Sequence, residues 1–121
     1  MSINQTDSLL RMKRNSAYTF RLEFRELDVP IDITGDDIAI SFKRKPYDLG
    51  TVFTRQTPTD VEILNQTTNR GQCRVHIDPA NTAGLPNQQV VLYFDVDLTH
   101  DGDALSPLVT QRFIVDGEVT P

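Results

Sequence analysis

This sequence has one cysteine, no tryptophan and no long apolar run. Because Cys73 is the only cysteine among 121 residues, a disulfide within the chain and a zinc site built from several cysteines are both excluded. No segment approaches the roughly 18 apolar residues that a membrane helix needs, so we expect no membrane partner. The first residues do not show a basic stretch followed by an apolar one. The sequence therefore predicts no signal peptide and synthesis in the cytoplasm.

Positive charge is also scarce. The chain has 12 lysines and arginines against 17 aspartates and glutamates, a formal net charge of −5. Non-specific binding of nucleic acid needs a basic face, so this balance predicts no nucleic-acid partner. Two short basic clusters, at residues 11–14 and 43–45, are too small to change that expectation. We interpret both as the solvated ends of strands.

Motifs for catalysis or cofactor binding are missing as well. His76 and His100 have no serine or cysteine at a spacing that suggests a nucleophile and its base. The six glycines are dispersed, so there is no glycine-rich phosphate loop. We therefore predict no catalytic residue, no cofactor and no metal ligand, and expect that the protein is not an enzyme.

One acidic group leaves an alternative open. Four aspartates are close in sequence and follow Tyr93; they are Asp95, Asp97, Asp101 and Asp103. Calcium takes six to eight oxygen ligands that converge on one point, and this spacing does not match the EF-hand loop. The alternative is a carbohydrate- or calcium-dependent binding module on a β-sandwich. The competing interpretation is that these residues form a turn and the solvated face of a strand.

What the sequence does contain is apolar residues at every second position. The clearest run is followed by Asp101-Gly102, a dipeptide that favours a two-residue hairpin turn, and by a return strand from Leu108 to Val115. The inward residues predicted for the first strand are Val90, Leu92, Phe94, Val96 and Leu98. Period two predicts a strand with one buried face, so this hairpin is expected to form the core of a β domain.

Shorter runs of the same kind fill most of the remaining chain. They are predicted at residues 16–25, 31–33, 38–43, 51–57, 61–64 and 72–78. Asp78, Pro79 and Gly84 favour a single helical turn, with Leu85 closing one edge of the core. Seven to nine short strands with frequent turns are typical of an antiparallel β-sandwich or a small barrel.

The first 15 residues differ from this pattern. They are polar except for Leu9, Leu10 and Met12, so we predict a flexible N-terminal arm over residues 1–15 and a β domain over residues 16–121. In an assembly, the three apolar side chains of the arm are candidates for contacts with a neighbouring subunit. Tyr93, on the outward face of its strand, is a fourth candidate.

Four stretches, taken in order, resemble a known family. They are AYTFRL at 17–22, VPIDITG at 29–35 with Ile38 and FKRK at 42–45, TAGLP at 82–86 with YFDVDL at 93–98 and Asp101-Gly102, and FIV at 113–115 with GEVT at 117–120. Together they are similar to small virion proteins of tailed phages and prophages related to the N-terminal domain of upper-baseplate proteins. The resemblance covers about residues 17–120.

The resemblance implies an immunoglobulin-like β-sandwich without catalytic residues or cofactors. It implies a virion structural protein in the tail or baseplate, with the head–tail neck or head decoration as close options. The expected partners are other virion proteins and copies of the chain itself, in a symmetric homo-oligomer. The expected location is the virion, after synthesis in the host cytoplasm. A sandwich also offers edge strands that pair with neighbours.

Overall fold

The computed structural model describes residues 2–5, 10–45, 50–105 and 111–118, with the backbone alone for residues 2–5 and Leu105. These residues form eleven strands and one short helix. The strands are β1 (Ser2–Gln5), β2 (Arg11–Lys13), β3 (Tyr18–Glu26), β4 (Val29–Pro30), β5 (Asp37–Lys43), β6 (Phe53–Gln56), β7 (Val61–Ile63), β8 (Gln72–Ile77), β9 (Val90–His100), β10 (Asp103–Leu105) and β11 (Gln111–Asp116). The helix α1 is Pro79–Ala83.

The strands form two sheets. The first sheet has the order β1-β3-β8-β7, with β4 paired to β3. The second has the order β2-β11-β9-β5-β6, with β10 paired to β9. Every described strand pair is antiparallel except β2 with β11, which run parallel.

The longest strands follow the alternation read from the sequence. In β9, the five predicted inward residues are each at most 4% exposed. In β3, Phe20, Leu22 and Phe24 are buried, while the residues between them are exposed or half-buried. Successive side chains of a strand point to opposite faces, so period two gives each sheet one apolar face.

These apolar faces pack against each other and form the core. Phe20 of the first sheet has its ring centroid 5.9 Å from that of Phe94 and 5.7 Å from that of Phe113, both in the second sheet. Phe42 stacks on Phe53 at 4.4 Å. Cys73 is fully buried, and burial raises the pKa of its thiol to about 12. The expected fold class, an immunoglobulin-like β-sandwich with one short helical turn, is confirmed.

The central hairpin is confirmed, and its return strand is divided. Asp101 and Gly102 have φ of +51° and +83°, as the predicted two-residue turn requires. The chain then forms β10, which pairs with the end of β9, and later β11, which pairs with the beginning of β9. Residues 106–110, where the predicted return strand begins, lie outside the described residues.

The prediction of a strand at residues 31–33 is wrong. The strand in this region is β4, two residues earlier, which pairs with the end of β3. Ile31 and Ile33 belong to an irregular loop, in which the Ile33 amide donates to Gln66 Oε1 at 3.1 Å. The side-chain oxygen of Gln66 therefore accepts the hydrogen bond that, in a strand, a backbone carbonyl of the neighbouring strand would accept.

The described parts of residues 1–15 are paired strands and not a free arm. Strand β1 pairs with β3 in the first sheet, and β2 pairs with β11 in the second. Leu10 and Met12 are 2% and 4% exposed, in the core of their own chain. They are buried because β2 extends the second sheet and turns these side chains toward the apolar face. The domain boundary predicted at residue 16 is thus not a boundary of the sandwich.

Candidate assembly surfaces

The residues predicted as assembly contacts lie in different environments. Leu10 and Met12 fill the core, so in this conformation they present no surface to a neighbour. Leu9 lies outside the described residues. Tyr93 is half-buried on the outer face of β9, between Lys43 of β5 and Arg112 of β11 in register. The described candidates do not form one surface, because Leu10 and Met12 are in the core and Tyr93 is on an outer face, and the role of all four in assembly stays a prediction.

One end of the sandwich is closed by an arginine. Arg14 Nε donates to the Leu85 carbonyl at 2.7 Å, and Nη2 donates to the Ala83 carbonyl at 2.5 Å. Its Nη1 donates to Glu118 at 3.1 Å. The Asn15 amide donates to the buried Thr82 hydroxyl at 2.8 Å. We call this end, with residues 13–16, 43–45, 78–89 and 116–118, the closed end.

An ion pair ties β2 to β11 beside the closed end. The Arg11 guanidinium donates two hydrogen bonds to the Asp116 carboxylate. These bonds and the opposite charge lower the pKa of Asp116 and raise that of Arg11. Both side chains are partly exposed, so the pair contributes more to the register of β2 than to stability.

The opposite end is open. It holds Leu27 and Val29, which are 93% and 59% exposed in the turn between β3 and β4. Leu27 and Asp28 have φ of +51° and +63°, in the left-handed region. A side chain with a Cβ costs about 1–2 kcal/mol there. Such backbone outliers often mark functional positions, and here the outlier holds a leucine in solvent.

A groove of about 640 Å³ lies beside this turn. One wall is apolar and contains Leu27, Val29, Pro30 and Ile31. The other residues around it are charged or polar; they are Glu26, Asp32, Thr34, Asp36, Arg70, His100 and Asp101. The groove therefore combines an apolar wall with an acidic rim. We call residues 26–37, Arg70 and residues 100–103 the open end.

The lining of the groove includes an ion pair between His100, at the end of β9, and Asp36, just before β5. His100 Nδ1 lies 2.6 Å from Asp36 Oδ2, and Asp36 is 8% exposed. The hydrogen bond to Asp36 raises the pKa of His100, and the charges of Asp36, Asp101 and Glu26 act in the same direction. Asp32 accepts hydrogen bonds from the Thr34 hydroxyl and amide, which lower its pKa.

Sequence reasoning predicts only a turn in this region. Leu27 and Val29 alternate with Glu26 and Asp28, and an apolar residue between two acids in a turn is the signal that could have marked the surface. Leu27 lies in the turn and Val29 lies in β4 opposite Glu26 of β3, and both side chains are exposed.

The acidic group considered for calcium does not converge. Asp95 pairs with Lys43 at 3.3 Å on the outer face of the second sheet, whereas Asp101 lies in the turn after β9. In the described part of the chain, no three His, Cys, Asp or Glu side chains come close enough to hold a metal ion. The geometry therefore gives no support to the calcium-dependent alternative. Within the same residues, no helix has the length and apolar character to span a membrane.

The fold defines an immunoglobulin-like β-sandwich, and its open end holds a groove lined by apolar and acidic residues. No protein-family model matches the chain, and no curated protein matches it. Among solved structures, it is similar to AggA, the major subunit of aggregative adherence fimbriae type I (AAF/I) from Escherichia coli. The identity is 12%, the TM-score is 0.36, and the match covers 95% of this chain and 92% of that one.

Proposed function

We propose that this chain is a non-enzymatic structural protein of a tailed-phage virion, which acts through protein–protein assembly contacts. Its place is the tail or baseplate, or alternatively the head–tail neck or the head surface. The observation that carries the assembly role is the open end, where Leu27 and Val29 are exposed beside a groove. Exposed apolar residues that rim a groove are typical of interaction sites.

The phage origin rests on the sequence motifs. Two of the four stretches that resemble the virion family contribute to the open end. Five residues of the second stretch line the groove, and Asp101-Gly102 forms the adjacent turn; the five are Val29, Pro30, Ile31, Asp32 and Thr34. The motifs thus coincide with the surface that we assign to assembly.

The proposed partners are other virion proteins and copies of the chain in a symmetric homo-oligomer, without nucleic acid, membrane or cofactor. Because β2 fills the core of its own chain, the contacts proposed here use the surface of the folded sandwich. Leu10 and Met12 would take part in assembly only if β2 left its place beside β11.

Detection of the chain in particles tests the proposal. Tailed particles are purified on a density gradient from cells that encode the chain, and an antibody against it is coupled to gold. We expect gold at one fixed position on every particle, in several copies. A matched preparation from cells with the gene deleted controls for antibody specificity. Absence of the chain from intact particles would overturn the proposal.

A further inference from the structure

The two ends of the sandwich carry opposite charge. Among the described residues, the open end has seven carboxylates and one arginine besides His100; they are Glu26, Asp28, Asp32, Asp36, Asp37, Asp101, Asp103 and Arg70. The described residues of the closed end have five lysines and arginines and three carboxylates; they are Lys13, Arg14, Lys43, Arg44, Lys45, Asp78, Asp116 and Glu118.

The exposed charges show the same asymmetry. At the closed end, three cations and one carboxylate are exposed; they are Lys13, Arg44, Lys45 and Asp78. At the open end, six carboxylates and one arginine are exposed; they are Glu26, Asp28, Asp32, Asp37, Asp101, Asp103 and Arg70. Strand β5 runs from Asp37 to Lys43, so it spans the distance between the ends, roughly 20 Å at the rise of an extended strand.

The groove at the open end suits a basic side chain. Lysine and arginine lay their aliphatic stems along apolar surface and keep the charged head in a polar environment. Leu27 and Val29 provide the apolar wall for such a stem, and the carboxylates of the rim lie next to it. Arg44 and Lys45 are exposed at the closed end of the same molecule.

We propose that copies of this chain associate head to tail, the basic closed end of one copy docking in the groove at the open end of the next. This inference rests on the proposed assembly function and names a second copy as the partner. The two surfaces differ, so the contact is heterologous, and it forms a ring if the rotation closes or a filament if it does not. Complementary charge fixes the orientation, and like charges disfavour contact between two open ends.

The test uses two charge-reversal variants of the full chain. The open-end variant is Glu26→Lys with Asp103→Lys, and the closed-end variant is Arg44→Glu with Lys45→Glu. All four positions are exposed. A control with the same charge change on the sheet faces is Glu62→Lys with Asp97→Lys. Circular dichroism and thermal melting first establish that each variant is folded.

Sedimentation velocity then measures association. For the wild type, we expect mass above the 13.7 kDa of one chain at about 50 mM salt and a decrease at about 500 mM, where screening is stronger. Each variant alone should associate at least about tenfold more weakly, because like charges face each other. An equimolar mixture should regain a heterodimer, because the closed end of the open-end variant and the open end of the closed-end variant are both intact. The control variant, Glu62→Lys with Asp97→Lys, should associate as strongly as the wild type.

Two results would overturn the head-to-tail contact. The first is a wild type that stays monomeric at low salt and about 1 mM chain. The second is unchanged association of either variant alone, as a symmetric contact elsewhere would give. A chain found in particles but monomeric in solution at every concentration would refute this inference and leave the virion role standing. If the chain associates head to tail but is absent from particles, the virion role is refuted and the head-to-tail contact stands.

Discussion

The closed and open ends of the sandwich differ in how their loops are held. At the closed end, the Arg14 side chain donates hydrogen bonds to the carbonyls of Ala83, the last residue of α1, and Leu85, whose apolar side chain is buried. At the open end, Leu27 is held in solvent by a turn in the left-handed region. The closed end therefore pairs its carbonyls and buries its leucine within the chain. The open end retains exposed apolar surface that a partner can cover.

Truncation of a leucine gives the largest expected contrast. Leu10→Ala should reduce the free energy of unfolding by about 2–4 kcal/mol, because it removes buried methyl groups and leaves a cavity in the core. The same change at the open end, Leu27→Ala, should alter it by no more than about 0.5 kcal/mol. Urea unfolding followed by circular dichroism measures both. A small effect of Leu10→Ala would mean that β2 is a loosely attached arm after all.

Two glycine-to-alanine changes compare a crowded backbone position next to the open end with an uncrowded position within it. Gly71 has φ of +80°, and a Cβ there would lie 2.6 Å from the Phe24 carbonyl oxygen. Gly71→Ala should therefore cost about 2 kcal/mol or more, from the left-handed conformation and the clash together. Gly35 has a similar φ of +76° with no atom within 4 Å of the added Cβ. Gly35→Ala should cost about 1 kcal/mol, and equal values from chemical denaturation would refute the close approach.

Removal of the arginine tests the closed end. Arg14→Met keeps the aliphatic stem and leaves the Ala83 and Leu85 carbonyls without their donor. We expect a loss of about 1–3 kcal/mol. Arg11→Met is the matched control, because Arg11 is 46% exposed and its ion pair with Asp116 should contribute little. If the two variants have the same stability, the closed end is not held by Arg14.

The smallest expected effect is a pH dependence at the open end. The pKa of His100 is raised above its ordinary value of 6.5 by Asp36, so protonated His100 stabilises the folded state. This contribution is complete below pH 6.5 and is lost as the pH rises through the raised value. Between about pH 6 and about pH 8, the melting temperature should fall by roughly 1–3 °C more in the wild type than in His100→Gln. His76→Gln, which removes the other histidine, should retain the wild-type profile.

Sequence reasoning succeeded where the determining signal is local. Period-two alternation placed the buried faces of β3 and β9, and the left-handed preference of Asp101-Gly102 placed the turn. Asp78 and Pro79 likewise identified the short helix, in which the Asp78 amide donates to Asn81 Oδ1 at 2.7 Å. In each of these elements, a few neighbouring residues suffice to determine the conformation.

Sequence reasoning failed where the strand that pairs with a segment is distant in the chain. Leu10 and Met12 occur in a polar segment, and their burial depends on β11, about a hundred residues away. Their local pattern is that of a solvated tail, and no short window contains the strand that pairs with them. The open end was missed for a related reason, because β4 has only two residues, one of them proline, which are too few to show a period.

The parallel pairing of β2 with β11 has a mechanical consequence. Hydrogen bonds of a parallel pair are evenly spaced along the strands. A force that pulls on the residues before β2 and after β11 in opposite directions slides the two strands along each other, so it loads those bonds and the Arg11–Asp116 pair at the same time. The β2–β11 pair therefore resists such a force in shear, whereas an antiparallel pair at this edge would open one bond at a time.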